Sequence, residues 1–273
     1  MSMTATQKSL TYVVLFVAVL CVLLPMAVMV SVSLQTPSTV NPLGLPQDPQ
    51  WSNYSEAFRT GNLLPYFLNS LIVLVMTTSV AIFVAVLAAY GLHHGQRYKS
   101  GAVSTFFLMG LILPVFSGTI PVFLLMREMG LLNTHMGLSL VQIASGLALP
   151  IFLYVNFLKT VPSEIEEAAW VDGCGPWRIF LKIVFPLTLP ITATCIIVVA
   201  IASWNDFFNP LVFLSSPDMR TLPVGLMAFK SQYNTNWPQM FAGASLVALP
   251  IIILYTFVQR FIIKGLVGGA VKG

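Results

Sequence analysis

Apolar positions in this chain form long unbroken runs, not the alternation of a half-buried strand or the narrow stripe of a surface helix. Six stretches carry no charged residue: 10–34, 68–92, 102–126, 136–158, 183–204 and 240–258. Crossing a bilayer takes about 20 predominantly apolar residues, so each stretch predicts one transmembrane helix. Pro114 and Pro121 in the third, Pro150 in the fourth and Pro250 in the sixth predict kinks or breaks. A membrane tolerates these where neighbours satisfy the freed carbonyls.

Composition agrees with the pattern. The chain is 57% hydrophobic and 8% charged, with a mean hydropathy of +0.86, far from the usage of soluble domains. The fold class expected is an all-α integral membrane protein with six spans. The first apolar run follows Lys8 but exceeds a signal-peptide core and precedes no clear small-x-small cleavage site, so it reads as a retained anchor.

Basic residues set the orientation. With the N-terminus inside, Lys8, Arg97, Lys99, Lys159, Arg178, Lys182, Arg260, Lys264 and Lys272 fall on the inner side, and Arg59, Arg127, Arg220 and Lys230 on the outer. Nine against four places both termini in the cytoplasm. These juxtamembrane charges also account for the net charge of +4 without a nucleic-acid partner.

A search for catalytic chemistry finds little. His93, His94 and His135 make no HExxH, and Cys21, Cys174 and Cys195 are too scattered for a zinc site or disulfide framework. The stretch "GLHHGQRYKS", 91–100, puts Tyr98 where a phosphate loop requires glycine. It predicts an inner turn, and no ATP hydrolysis by this chain.

The polar exception is "PSEIEEAAWVDGCGPWRIFLKIVFP", 162–186. Ser163 and Glu166 have capping-box spacing, which predicts a helix starting at Glu164. "GCGP" should stop it at Gly173. Pro176 then opens a second helix with Trp177, Phe180, Leu181 and Val184 on one face and Arg178 and Lys182 on another. From periodicity alone the segment is equally a compact cytoplasmic knob or an interfacial loop.

This segment resembles the cytoplasmic loop of the integral permease subunits of bacterial ATP-binding-cassette importers. Their pattern is EAA, three residues, glycine, nine residues, then I-x-L-P. Here it runs Glu167, Ala168, Ala169, Gly173, Ile183 and Pro186, with Phe185 in place of the leucine. Residues 68–92, "MGLLNTHMGLSL" from Met129 and "SWNDFFNPLVFL" from Ser203 are similar to the carbohydrate-uptake branch. "RFIIKGLVGGAVKG", 260–273, is similar to the tail of its maltose-type second permease.

The resemblance implies a single transmembrane domain, 1–273, with its core at 66–262, its first span at 10–34, a coupling loop at 160–186 between spans four and five, and a tail at 261–273. It implies a permease that joins a second, different permease to pass a sugar or sugar derivative across a bacterial cell membrane. Two copies of a cytoplasmic ATPase would hold the ATP and magnesium, with no cofactor in this chain, and an extracytoplasmic binding protein would deliver the solute. Glu167, Ala168, Ala169, Gly173 and Pro186 are the expected coupling residues. In the tail, Gly268, Gly269 and Lys272 would meet the ATPase, although a frayed terminus explains them as simply; after Arg260 the glycines predict a non-helical strand. Gln232, Tyr233, Asn234 and Trp237 would face the binding protein.

The pathway is less legible. Asn205 and Asp206 are candidates because an acid at membrane depth is often functional, yet they lie beside Trp204, Phe207 and Phe208, which equally suit an interfacial belt. Asn69, Gln142, Ser145 and Asn156 would line a cavity or join helices. A secondary transporter or channel is the alternative class, and it leaves the spacing of the coupling loop unexplained.

Overall fold

The computed structural model describes residues 5–96, 105, 109–110, 118–229 and 236–270, and among them every regular element is helical. They fall into two compact units, one comprising Met1–Leu64 with Gly225–Pro250, the other Pro65–Val224 with Ile251–Gly273.

In the first unit, α1 (Ala5–Ser33) presents exposed apolar side chains from Leu10 to Leu24. Its last carbonyls lack intrahelical donors, as at any helix end. Asn53, buried in α2 (Ser52–Thr60), donates its Nδ2 to the Ser33 and Gln35 carbonyls at 2.8 and 2.9 Å. Gln35 organises the intervening loop: its Nε2 donates to the Asn41 and Gly44 carbonyls and its Oε1 accepts from the Asn41 amide.

The second unit is built on α3 (Leu63–Gln96) from Pro65 onward. Ala81, Ala85 and Ala89 recur every fourth residue and are fully buried, with Ile82 and Val86 beside them. Small side chains at that spacing let another helix approach closely. The elements that follow are α4 (Thr119–Glu128), α5 (His135–Gly146), α6 (Ala148–Leu158), α7 (Ser163–Val171), α8 (Pro176–Ile179), α9 (Leu189–Asn205) and α10 (Phe208–Phe213). Ile151, Tyr154 and Leu158 of α6 and Cys195 and Val199 of α9 close the core over α3, and Tyr154 donates to the Thr192 hydroxyl at 2.9 Å. Beyond the short α11 (Leu222–Gly225), α12 runs from Trp237 to Ala270.

Two of the expected spans are unbroken: Ser9–Ser33 and Leu63–His93 are long and apolar enough to cross a membrane. The fourth is broken, with α5 and α6 meeting at 49°. Pro150 has no N–H to donate to the Gly146 carbonyl, so the helix parts there. The fifth differs more from expectation: Pro176–Leu187 meets α9 at 75°, so 183–204 is not one straight span. Pro186 and Pro190 each remove a ladder donor, while Thr188 at the bend donates to the Phe185 carbonyl at 2.8 Å. Of the third only Thr119–Glu128 is a described helix, and Pro114 lies outside the described residues. The sixth appears as the apolar stretch Trp237–Ile253 of α12.

"MGLLNTHMGLSL" spells out the joint between α4 and α5. Gly130 and Asn133 adopt positive φ of 68° and 56°, conformations that glycine and asparagine tolerate best. Thr134 caps α5 by accepting from the Gly137 amide at 3.0 Å and donates to the Leu131 carbonyl at 2.8 Å.

Candidate functional site

The segment 160–186 folds as two helical pieces around a left-handed glycine. α7 begins at Ser163 with Pro162 at its N-cap, and no side chain caps it. The expected capping box is therefore not formed: Ser163 is already helical, so its hydroxyl does not meet the orphan amides. Glu164 and Glu166 still occupy the first turn, where the helix dipole favours acids.

The end of α7 explains the spacing of its motif. Gly173 has φ +74°, the Gly173 amide bonds the Trp170 carbonyl at 3.0 Å, and the Cys174 amide bonds the Ala169 carbonyl at 3.0 Å. This pair of bonds is a Schellman ending. It requires the left-handed residue four positions after the residue whose carbonyl accepts the outer bond. Ala169 and Gly173 stand at that separation, and Ala169 is buried in the core with Cys174 packed against it. Glu167 and Ala168 turn outward and are exposed.

After Gly175, held extended at ψ 162°, α8 passes into a π-helical turn, Phe180–Val184. The expected apolar face is divided. Ile179, Phe180 and Val184 are buried, whereas Trp177 and Leu181 are exposed. Phe180 packs on Tyr90 of α3 with ring centroids 5.2 Å apart, which ties the segment to the core. Ile165, Trp170 and Val171 of α7 and Trp177 and Leu181 further along the segment remain exposed.

Within the second unit, Asp206 follows α9 directly and forms part of the wall of a cavity of about 360 Å³. Gln142 Nε2 donates to Asp206 Oδ2 at 2.9 Å, Asn209 Nδ2 donates to the same oxygen at 2.8 Å, and the Asn209 amide donates to Oδ1 at 3.1 Å. Gln142 Oε1 in turn accepts from Thr77 Oγ1 at 3.0 Å and Ser203 Oγ at 2.8 Å. Buried polar groups make such networks because leaving one unpaired costs more than the bond is worth. Asn205 is exposed and is not part of this wall.

Sequence reasoning missed Thr77, Ser203 and Asn209. Ser203, Asp206 and Asn209 recur every third position at the end of an apolar span, and that periodic polar edge was the available signal. Of the polar residues inside spans, Gln142 both lines the cavity and joins helices. Asn69 binds the carbonyls of Asp218 and Arg220 at 2.7 and 3.0 Å, a purely connecting role.

The other expected residues fall later in the chain. Trp237 begins α12, half exposed, and stacks on Phe241 at 6.0 Å; Gln232, Tyr233, Asn234 and Lys272 lie outside the described residues. Gly268 and Gly269 are helical, since α12 continues to Ala270, which corrects the expected strand after Arg260. Each glycine costs about 1 kcal/mol relative to alanine, but extending an existing helix gains one hydrogen bond per residue fixed without a new nucleus.

Residues 81–267 match the family of binding-protein-dependent transport system inner membrane components, and the chain belongs to that family. It is a transport component and not an enzyme, and the family implies in general a second permease, an ATPase and a solute-binding protein. The probable ABC transporter permease protein YurM of Bacillus subtilis (strain 168) is 33% identical over 229 residues, 84% of this chain and 76% of that protein. The melibiose/raffinose/stachyose import permease protein MelC of the same organism is 31% identical over 98% of this chain and 99% of its own length. The fold is shared, at a TM-score of 0.80 and 23% identity over 95% of this chain and 99% of the other, with a chain from the crystal structure of a bacterial ABC transporter involved in the import of the acidic polysaccharide alginate.

Proposed function

We propose that this chain is the six-span second permease of a carbohydrate importer in a bacterial cell membrane, a single transmembrane domain with both termini in the cytoplasm. The observation that carries the reading is helix α7, which exposes Glu167, Ala168 and Trp170 and ends in a Schellman turn at Gly173. It is a rigid knob fit to enter a cleft on a partner. Two copies of an ATPase supply the clefts for this chain and its partner permease, and hold the ATP and magnesium. The sugar class rests on relatives such as MelC, whose name specifies melibiose, raffinose and stachyose. The Asp206 cavity forms part of the solute path, and Trp237 with residues 232–234 faces the binding protein.

Copurification tests the coupling surface. The tagged chain should bring its ATPase out of the membrane, and Glu167→Lys should reduce the recovered ATPase at least about tenfold, since a misplaced charge across an interface costs several kcal/mol. Full recovery with Glu167→Lys would remove the ATPase from this surface.

The tail contributes a second contact in this reading, with Gly268 and Gly269 approaching the ATPase pair closely and Lys272 meeting an acidic or backbone acceptor. Because α12 is helical through Ala270, it reaches the partner as a rod. Deleting residues 268–273 should leave membrane insertion intact and lower ATP hydrolysis by the reconstituted complex about threefold, the loss of one modest contact. Unchanged hydrolysis returns the tail to a frayed end.

A further inference from the structure

The cavity beside α9 carries an acidic group with no basic counterpart: among the described residues, no lysine, arginine or histidine lines it. Its polar edge is Thr77, Gln142, Ser145, Ser203, Asp206 and Asn209, and the rest of the wall is small or apolar. The bonds within this edge leave defined capacity. Gln142 Nε2 and Asn209 Nδ2 each carry two hydrogens and use one in the bonds to Asp206, and among the described residues Asp206 Oδ1 accepts from the Asn209 amide alone. Donors and an acceptor thus remain side by side for hydroxyl groups, which can give and receive hydrogen bonds at once. A carboxylate or sulfonate in the same place would meet the Asp206 charge across a cavity whose described walls carry no cation to offset it, and like charges repel.

We propose that Gln142, Asp206 and Asn209 form a charge filter in the solute path, which admits neutral polyhydroxylated solutes and rejects anionic ones. This rests on the carbohydrate reading and narrows it to uncharged sugars. Discrimination arises here by a repulsive element as much as by attraction. The chain thereby differs in substrate charge from the transporter of similar fold that takes part in importing an acidic polysaccharide.

Thiol labelling reads the potential in the cavity directly. Ala202 lines it and is exposed, so Ala202→Cys is introduced into the complete importer, with the rate of the parent chain and its three native cysteines subtracted. Cationic trimethylammonioethyl and anionic sulfonatoethyl methanethiosulfonates are then compared, each relative to free cysteine. The filter predicts about tenfold faster reaction of the cationic reagent, the scale on which a fixed charge in a cleft concentrates counter-ions. Asp206→Asn should abolish that preference and Asp206→Glu should retain it. Equal rates in the chain bearing Asp206, which need no variant of the network to fold, would overturn the proposal, as would a preference that survives Asp206→Asn. Uptake of raffinose is measured alongside. Raffinose transport without a labelling preference sinks the filter alone, whereas a preference in an importer that moves no carbohydrate sinks the carbohydrate reading and leaves the charge selection standing.

Discussion

Gly173→Val should leave the chain inserted in the membrane and abolish both coupled uptake and solute-stimulated ATP hydrolysis in the reconstituted importer. The argument is one of backbone conformation. At φ +74° a β-branched residue is strained by about 1–3 kcal/mol, and leaving that conformation gives up the amide bonds from Gly173 and Cys174, each worth about 1 kcal/mol. Either way α7 no longer ends where its motif places it, and the direction of α8 changes. Space is not the obstacle, because a Cβ added at Gly173 meets nothing within 4 Å. Gly173→Asn should therefore retain most transport, since asparagine tolerates the left-handed region. The comparison is made by uptake and ATPase assays on the two variants. Equal activity in both would show that the turn is not part of coupling.

Gly137→Ala should be the most damaging single-methyl change among the glycines of α5. An added Cβ would stand 2.1 Å from the Leu131 carbonyl oxygen and 3.0 Å from its carbon. Backbone cannot swing aside as a long side chain can, so the first turn of α5 must lift off the joint. Overpacking of this kind costs about 1–3 kcal/mol, and losing the Thr134 cap on the Gly137 amide adds about 1 kcal/mol. The folded population in detergent should fall about a hundredfold relative to the unfolded, seen as an earlier thermal unfolding midpoint and greater trypsin sensitivity. Thr134→Ala, which removes the cap without the clash, should shift the midpoint only about a third as far. A Gly137→Ala chain as stable as the parent would disprove this account of the joint.

How much of this was legible depended on range. The membrane class followed from run length alone, and the ending of α7 followed from "GCGP", because glycine and proline act through their own φ. The break at Pro150 was legible for the same reason. The capping box at Ser163 was not, since Pro162 already occupies the N-cap and the side-chain bond depends on a one-residue shift that periodicity does not resolve. The outward turn of Trp177 and Leu181 was not legible either, because the side of this segment that meets the core is the one on which Phe180 packs against Tyr90, 90 positions earlier in the chain. Helix beyond Arg260 was missed because residue propensities were weighed without the cooperativity of a helix already 24 residues long by then. The cavity was hardest. Gln142 and Asp206 are 64 residues apart, and no local rule brings them within 2.9 Å.

The 75° bend at Thr188 makes an elbow of the loop and the helix that follows it. For two rigid arms at that angle, only about a quarter of a shift along the first arm projects onto the axis of the second, and nearly all of it becomes sideways travel. On the proposed coupling role, a push on the Glu167 knob would swing the foot of α9 sideways and barely slide it along its length. Tyr154, bonded to Thr192 four residues above the bend, would act as the fulcrum. Asp206, beyond the far end of α9, would travel in the opposite sense to the foot, so that a stroke delivered at one membrane surface could widen or narrow the passage near the other.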